Sequence, residues 1–310
     1  MTDQFSGIAG LQGRAPIGAV LRIGRKNERG VPVDRDLFYL CTTTQDDSGS
    51  RPLHPRFKLF HDARGDARKS VQLALVHATP PECWNVHLRN QRDTLHGCNP
   101  PNMAPFCTGD GVKARRWDGE SFCSIACPND RCEYRREGSG HRGKGVACKP
   151  FGTLYAQLVW ERGDMPSMLV KYTTNSWNST SALQGYFDRW DEAAIQLTKL
   201  GANLVDTVES YDDEGNLQTA VTARRYLFTG ARFVLTLQEK AKQHHGEPRK
   251  YPIVTVSPID DPMEVLTRNV ARVRQLVADS ADLPRLEDRT PREADGDYLE
   301  NEVGTHREAT

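Results

Sequence analysis

Cysteines crowd into one short polar stretch, and thiols clustered in this way are candidate metal ligands. Residues 123–150, "CSIACPNDRCEYRREGSGHRGKGVACKP", contain four of the eight cysteines of the chain. In a reducing compartment, clustered cysteines are more often metal ligands than partners in structural disulfides. A structural zinc ion takes four Cys or His ligands in a tetrahedron, with one close pair and a second pair brought in by the fold. The stretch therefore indicates a structural zinc site.

The spacing of the cysteines suggests which four would bind the ion. Cys127 and Cys132 can form the close pair, because the intervening "PNDR" favours a turn that lets the two thiolates converge. Cys107 and Cys148 lie at similar distances on either side, in glycine-rich sequence that lets each segment loop back. We predict a closed zinc site formed by Cys107, Cys127, Cys132 and Cys148. Cys123 is the alternative ligand, and unligated thiols on a polar surface are the other interpretation of this spacing.

The predicted site would be structural and not catalytic. Four thiolates saturate the ion and leave no open position for the water molecule that a catalytic zinc needs. The sequence also contains neither the H-E-x-x-H motif of zinc hydrolases nor the G-x-S-x-G motif of serine hydrolases. We therefore expect the protein not to be an enzyme.

The same stretch is locally basic. It carries Arg131, Arg135, Arg136, Arg142 and Lys144, whereas the whole chain balances 41 basic against 41 acidic residues. A surface that attracts nucleic acid must therefore be local. Because a zinc ion would hold the five residues on one projecting element, we predict that they contact a protein partner or nucleic acid. The alternative is that they only keep a glycine-rich loop soluble.

Strand patterns predominate in the elements that must position these residues. The first is "LFYLCTTT", and two further apolar runs flank "TPPE", where paired prolines disfavour helix and predict a turn. After residue 150, five runs favour strands: "GTLYAQLVW", "SMLVKYTT", "ANLVDTVES", "RRYLFTGARFVLTLQ" and "YPIVTVS". Cys41 and Cys83 lie in such runs, so we expect them to be small buried hydrophobes.

Two segments have helical periodicity. In residues 179–201 the apolar residues recur every three or four positions, at Leu183, Phe187, Trp190, Ala194 and Leu197. The second segment, residues 260–280, has a proline suited to a first helical turn and one apolar face, formed by Leu266, Val270, Val273 and Val277. The sequence predicts an α+β fold: a β-rich body with two amphipathic helices and a Cys-rich, zinc-stapled insert.

Composition divides the chain into four regions. We predict an N-terminal β unit at residues 1–97, the Cys-rich insert at 98–149, a β-rich body with helices at 150–280, and a disordered acidic tail at 281–310. No apolar run is long enough for a signal peptide or a membrane span. We expect a soluble, cytoplasmic protein with no membrane partner.

Four passages of the sequence resemble the recombination directionality factor-like family of phages, prophages and other integrative or mobile elements. They are "AVLRIGRKNERGVPVDRDLFYL", "CTGDGVKARR", the cysteine series ending in "ACKPFGTLYAQL", and "VKYTTNSWNSTSALQGYF". The resemblance implies a metal-binding accessory protein of DNA recombination that binds a large serine integrase, reaches DNA through the integrase complex, and favours excision. Such a factor needs no chemistry, because it only has to bind one integrase–DNA arrangement more tightly than the other.

Two other functions stay open. A single-stranded nucleic-acid binding protein would stack bases on exposed aromatic side chains beside basic residues. The candidates are Trp117, Tyr134, Trp177 and Tyr211, although an aromatic residue next to a strand or at the head of a helix is more often part of the core. A metal-dependent hydrolase is the weaker alternative, since no catalytic set of residues supports it.

Overall fold

A computed structural model describes residues 17–26, 32–45, 51–56, 69–76, 80–159, 168–211, 216–244 and 247–281. The chain divides into two compact units, Met1–Arg268 and Asn269–Thr310. All the strands and the candidate site belong to the first unit. The described part of the second unit is the helical segment 269–281.

Eleven strands form one sheet in the first unit. In chain order they are β1 (Ala19–Lys26), β2 (Pro32–Cys41), β3 (Ser70–Leu75), β4 (Trp84–Asn90), β5 (Cys107–Gly109), β6 (Lys113–Trp117), β7 (Phe122–Ala126), β8 (Lys149–Leu158), β9 (Met168–Thr174), β12 (Arg232–His244) and β13 (Glu247–Pro258). The remaining two, β10 (Val205–Tyr211) and β11 (Leu217–Arg224), form a separate antiparallel hairpin.

Strand β8 organises the sheet. Its second half pairs with β3 and its first half pairs with β4, while β9 pairs along the opposite edge. From β3 the sheet continues to β12 and β13, and from β4 it continues through the meander β5–β6–β7. All of these pairings are antiparallel, whereas β1 joins β9 in parallel. The strands of the Cys-rich region are therefore an extension of the main sheet.

Two long helices accompany the sheet, as the periodicity predicts. They are α2 (Trp177–Lys199) and α3 (Pro262–Ala281). Ser176 caps the N-terminus of helix α2, because its side chain accepts a hydrogen bond from the Ser179 backbone N–H and so satisfies one free helix donor. The α+β expectation, a β-rich body with two amphipathic helices, is confirmed.

One local prediction was wrong. The segment "PPEC" forms a single turn of α-helix, α1 (Pro80–Cys83), where the paired prolines had been expected to exclude helix. Both prolines sit in the first turn of this helix, where the backbone N–H has no intrahelical acceptor and a fixed φ suits the helix. Proline therefore disfavours only the interior of a helix, and a helix this short has none.

The core lies between α2 and the sheet and is largely aromatic. Trp190 of α2 is fully buried against Phe228, with ring centroids 5.1 Å apart. Phe187 stacks on Trp84 of β4 at 6.3 Å, which anchors the helix directly over the strand that leads into the Cys-rich region. Cys41 and Cys83 are also buried, as predicted for small apolar residues.

Polar contacts fix the helix in register with the strands. The Asp191 carboxylate on α2 accepts hydrogen bonds from Arg224 at 2.6 and 2.8 Å and from the Tyr226 hydroxyl at 2.6 Å. At the other end of α2, the Ser179 hydroxyl accepts a hydrogen bond from the Val254 backbone N–H at 3.1 Å. These hydrogen bonds specify one position of the apolar face of α2 relative to the strands.

The structure of helix α3 agrees only partly with the apolar face predicted from its sequence periodicity. Within the first unit, Val265 and Leu266 of α3 are buried. Val273, which the periodicity assigns to the apolar face, is 58% exposed, because a helical repeat does not by itself supply a packing partner. Residues 282–310, almost all of the predicted tail, lie outside the described part of the chain, and the predicted domain boundaries stay predictions. Among the helices described, none is long and apolar enough to cross a membrane.

Candidate metal centre and flanking grooves

The fold brings the four predicted ligand cysteines to one place. Cys107 begins β5, Cys127 follows β7, Cys132 lies between two single 3-10 turns, and Cys148 immediately precedes β8. All four side chains line the same small cavity of about 10 Å³. The meander β5–β6–β7 accounts for this convergence, because it carries the chain away from β4 and the following turns return it to β8 beside the starting point.

Hydrogen-bond donors surround the cavity. The Arg116 guanidinium donates to the Cys132 sulfur at 3.5 Å, while its Nε is buried and has no hydrogen-bond partner among the described residues. The Asn90 side-chain amide nitrogen, also buried and also lining the cavity, has none either. Buried donors of this kind normally face an acceptor, so the surroundings suit a negatively charged group.

Two of the four thiols, those of Cys107 and Cys148, have a raised pKa and so resist ionisation. Burial raises the pKa of Cys148 to about 11, and the neighbouring Cys132, Cys107 and Cys127 add to the rise. Burial also raises the pKa of Cys107, although the hydrogen bond and positive charge of Arg116 oppose that rise. A cation at this position would reverse the effect, because a thiol that binds a metal does so as the thiolate.

The cysteine side chains line the cavity without a finished ligand geometry. Within the described ranges, no three or more His, Cys, Asp or Glu side chains are arranged to hold one metal ion. The alternative ligand Cys123 does not line the cavity, and its thiol donates to Asp118 Oδ2 at 2.8 Å. Cys123 instead lies in β7, next to the turn in which Asp118 Oδ1 accepts the backbone N–H of Ser121 at 2.8 Å.

Sequence reasoning missed the residues that order the insert without a metal. The Tyr134 hydroxyl donates to Asp93 Oδ1 at 2.8 Å, and both residues are buried. The Asp93 carboxylate also accepts the backbone N–H groups of Leu95, His96 and Cys98 at 2.9–3.0 Å. A D-T-L-H-G turn after a strand was the only sequence signal for this, and it does not identify the tyrosine 41 residues away.

The Asp93 carboxylate stays ionised because its hydrogen bonds outweigh its burial. Burial acts to raise the pKa of Asp93, but the bonds from His96, Tyr134, Cys98 and Leu95 hold that pKa below its usual value. Tyr134 extends the network, since its backbone carbonyl accepts the N–H of Cys148 at 2.9 Å. The network therefore connects the end of β4 to the segment that enters β8.

The insert also has a small apolar core, more than its composition suggests. Phe106, Cys132, Tyr134 and Cys148 pack together and are joined by four partly buried residues, Leu88, Cys107, Trp117 and Ala147. The rings of Phe106 and Tyr134 lie 5.2 Å apart. Three of the candidate ligands, Cys107, Cys132 and Cys148, are thus part of this cluster, so a metal and the apolar core would stabilise the same piece of structure.

The five predicted contact residues separate into two environments. Arg131, Arg136, Arg142 and Lys144 are exposed. Arg135 is partly buried: its guanidinium forms an ion pair with Asp130 at 3.1 Å, donates to Asn129 and lies 5.2 Å from the centre of the Trp177 ring. Arg135 and Trp177 thereby bridge the insert and the start of α2.

A groove of about 490 Å³ opens beside this pair, and we call it the helix groove. Its floor is β4, one wall is the exposed side of α2 with Trp177 and Gln184, and the other wall is the insert with Asn129 and Arg135. Asp110 and Asp188 also line it, so the charges in the helix groove are mixed. Trp177 is 44% exposed at its rim.

A second groove, of about 630 Å³, lies where β4 ends and β8 begins. We call it the basic groove, because the charged residues that line it are Arg89, Arg92, Lys144 and Lys149, with His141 beside them. Of the five predicted contact residues only Lys144 belongs to it. The sequence could not group these residues, because they come from segments about 50 positions apart.

The candidate base-stacking residues do not form one surface. Tyr134 is 2% exposed and is part of the insert core. Trp117 packs edge-on against Phe122 at 5.2 Å, and the Trp177 ring is covered on one side by Arg135. Tyr211 is 75% exposed but lies on the separate hairpin β10–β11.

Comparison with known families gives one match. A family model described as Gp3-like, recombination directionality factor-like, matches residues 17–259. This range covers the whole eleven-stranded sheet, the cysteine cavity, both grooves and helix α2. Comparisons with curated proteins and with solved structures found no match.

Proposed function

We propose that this chain, which belongs to the Gp3-like family of recombination directionality factor-like proteins, binds a large serine integrase of a phage or mobile element and favours excision. The match over residues 17–259 is the observation that carries the proposal. In this proposal the protein is not an enzyme. It acts in the cytoplasm on the integrase bound to its attachment-site DNA.

A factor can control the direction of recombination merely by binding to the integrase–DNA complex. A factor that binds the excision arrangement of an integrase–DNA complex more tightly than the integration arrangement shifts the populations by the ratio of the two affinities. Selective binding of this kind requires a surface of defined shape. The sheet extension β4–β7, locked to β8 and to α2, supports this requirement because it holds the insert rigidly against the helix.

We place the integrase contact at the helix groove. Tryptophan and arginine are the residue types that most often dominate protein–protein binding energy, and Arg135 and Trp177 stand together at its rim. Mixed charge, supplied by Asp110 and Asp188, suits a protein partner better than a polyanion. Truncation of a dominant residue costs about 2 kcal/mol or more, which is roughly a thirty-fold loss of affinity.

The test combines capture and recombination with the integrase encoded in the same element. Addition of the purified protein should raise recombination of the excision substrate and lower that of the integration substrate. Trp177→Ala should weaken capture of the integrase about thirty-fold, whereas Tyr211→Ala, which removes an exposed aromatic residue elsewhere, should leave capture unchanged. Equal recombination with and without the protein on both substrates would reject the proposed function.

We further propose that zinc binds Cys107, Cys127, Cys132 and Cys148 as a structural cofactor. When bound, zinc supplies folding energy and not reactivity, because four thiolates fill its coordination. The residues fit the ion in type: four thiols line a cavity of water-molecule size, and the unpaired donors of Arg116 and Asn90 face a site that four thiolates would make negative. Binding requires the thiol side chains to move from their present positions.

Metal analysis of protein purified without chelator tests the zinc proposal. We expect about one equivalent of zinc per chain. A double substitution of Cys132 and Cys148 by serine should abolish zinc binding, and Cys123→Ser should leave it at the original level. No metal in the purified protein, or full metal in the double variant, would contradict the assignment. Loss of metal in the Cys123 variant as well as in the double variant would make Cys123 one of the ligands.

A further inference from the structure

The basic groove is a one-sign surface on a chain with no net charge. Fourteen residues line it, and none of them is an aspartate or a glutamate. Arg92, Lys144 and Lys149 are exposed, and none of the three forms an ion pair with a described residue. Since the chain balances 41 basic against 41 acidic residues, this concentration of free positive charge is local.

At the floor of the groove, the Phe151 ring holds the Arg89 guanidinium in place. The Arg89 guanidinium lies 4.7 Å from the centre of the Phe151 ring. Its Nε is buried and lacks a hydrogen-bond partner among the described residues. Arginine in such a position is oriented by the ring and still has a donor unsatisfied, which suits an anionic oxygen.

The groove offers cations and amides but no free stacking surface. Phe151 is its one aromatic lining residue besides His141, and Phe151 already packs against Arg89 and against the His87 ring at 5.3 Å. Single-stranded nucleic acid is bound largely by stacking of its bases on aromatic rings, whereas a duplex presents phosphates at its outside. The side-chain amide of Asn175 in the lining adds an uncharged donor for phosphate oxygens.

We propose that the basic groove binds the sugar-phosphate backbone of duplex DNA, through Arg92, Lys144 and Lys149 at the rim and Arg89 at the floor. The inference rests on the proposed recombination function for its choice of duplex DNA as the ligand. It assigns DNA contact and integrase contact to two different grooves. The binding is independent of base sequence, because backbone contacts position a protein without reading bases.

Salt dependence measures the contacts directly. Each phosphate neutralised on B-form DNA contributes about 0.9 to the slope of log affinity against log salt. Three lost contacts should therefore reduce the slope by about 2.7, which makes the fall in affinity between about 50 and 200 mM salt roughly forty-fold smaller. The triple variant Arg92→Ala/Lys144→Ala/Lys149→Ala removes the three exposed side chains, none of which forms an ion pair with a described residue.

The experiment uses the full chain without integrase and a fluorescent duplex of arbitrary sequence, with anisotropy as the readout. The matched control is Lys113→Ala/Lys199→Ala/Lys240→Ala, which removes equal charge from exposed positions outside the groove. The wild type and the control should bind with the same slope, and the groove variant should show the reduced slope. An equal slope in all three proteins, or no binding of wild type at low salt, would overturn the inference. Tighter binding of a single strand than of the duplex would also overturn it.

Integrase capture in the absence of DNA separates this inference from the proposed function. The groove variant should capture the integrase as well as the wild type does, because the helix groove is unchanged. If capture is lost in the groove variant while duplex binding keeps its slope, the basic groove is part of the integrase interface and the inference is wrong. If no protein captures integrase but the groove variant loses its salt slope, the inference stands and the proposed function does not.

Discussion

The hydrogen bond between Tyr134 and Asp93 should be the strongest single polar contact between the insert and the segment that follows β4. Tyr134→Phe removes only the hydroxyl, because the ring keeps its packing against Phe106 and under Arg116, whose guanidinium lies 5.3 Å from the ring centre. A hydrogen bond to a charged group contributes about 1.5–3 kcal/mol to stability, and this one is 2.8 Å long between two buried residues. For a protein of this size, that corresponds to a fall in Tm of about 2 to 5 °C.

A double-mutant cycle isolates the tie from other effects of each substitution. Asp93→Asn places an amide where Oδ1 and Oδ2 now accept three backbone N–H groups, so this variant should lose more stability than Tyr134→Phe. The two substitutions together should cost about 1.5–3 kcal/mol less than the sum of the single losses. Urea unfolding of all four proteins, with Tyr211→Phe as an exposed control, gives the numbers. Additive losses would show that the hydroxyl and the carboxylate do not interact, and the assignment of Tyr134 as the organiser of the insert would then be wrong.

Three further expectations concern acid, packing and the end of the chain. The pKa of Asp93 is lower in the folded protein than its ordinary value of 3.8, so its ionised form stabilises the fold above that pH. This stability is lost as the pH falls from 3.8 through the lower folded-state pKa. In Asp93→Asn, the free energy of unfolding should therefore depend less on pH below 3.8 than in the wild type. Gly152→Ala should lower the free energy of unfolding by about 1–3 kcal/mol, because the added Cβ would overlap the Trp84 ring. Gly185→Ala, on the open face of α2, should raise it by about 0.5–1 kcal/mol. Urea unfolding measures both changes. Truncation after Ala281 should leave the Tm within about 2 °C if the tail buries nothing, and a larger fall would show that it is docked.

Local patterns in the sequence were sufficient for the elements with strong periodicity. Helix α2 has its cap at Ser176, an apolar face that includes Phe187 and Trp190, and a glycine after its end, so every signal agrees. The β-rich half of the chain was predicted for the same reason. The family could also be identified from four short passages, all of which lie within the matched residues 17–259.

Only the tertiary structure decided how these elements meet. No local signal shows that β1 pairs in parallel with β9, or that the Cys-rich segment continues the main sheet beyond β4, because pairing depends on contacts between residues far apart in the chain. The cysteines were candidates by their type, but their shared cavity exists because a meander returns the chain to its starting strand. The basic groove was hidden for the same physical reason: charge summed over the chain is balanced, and only folding places Arg92 beside Lys144 and Lys149 with no carboxylate lining the space between them.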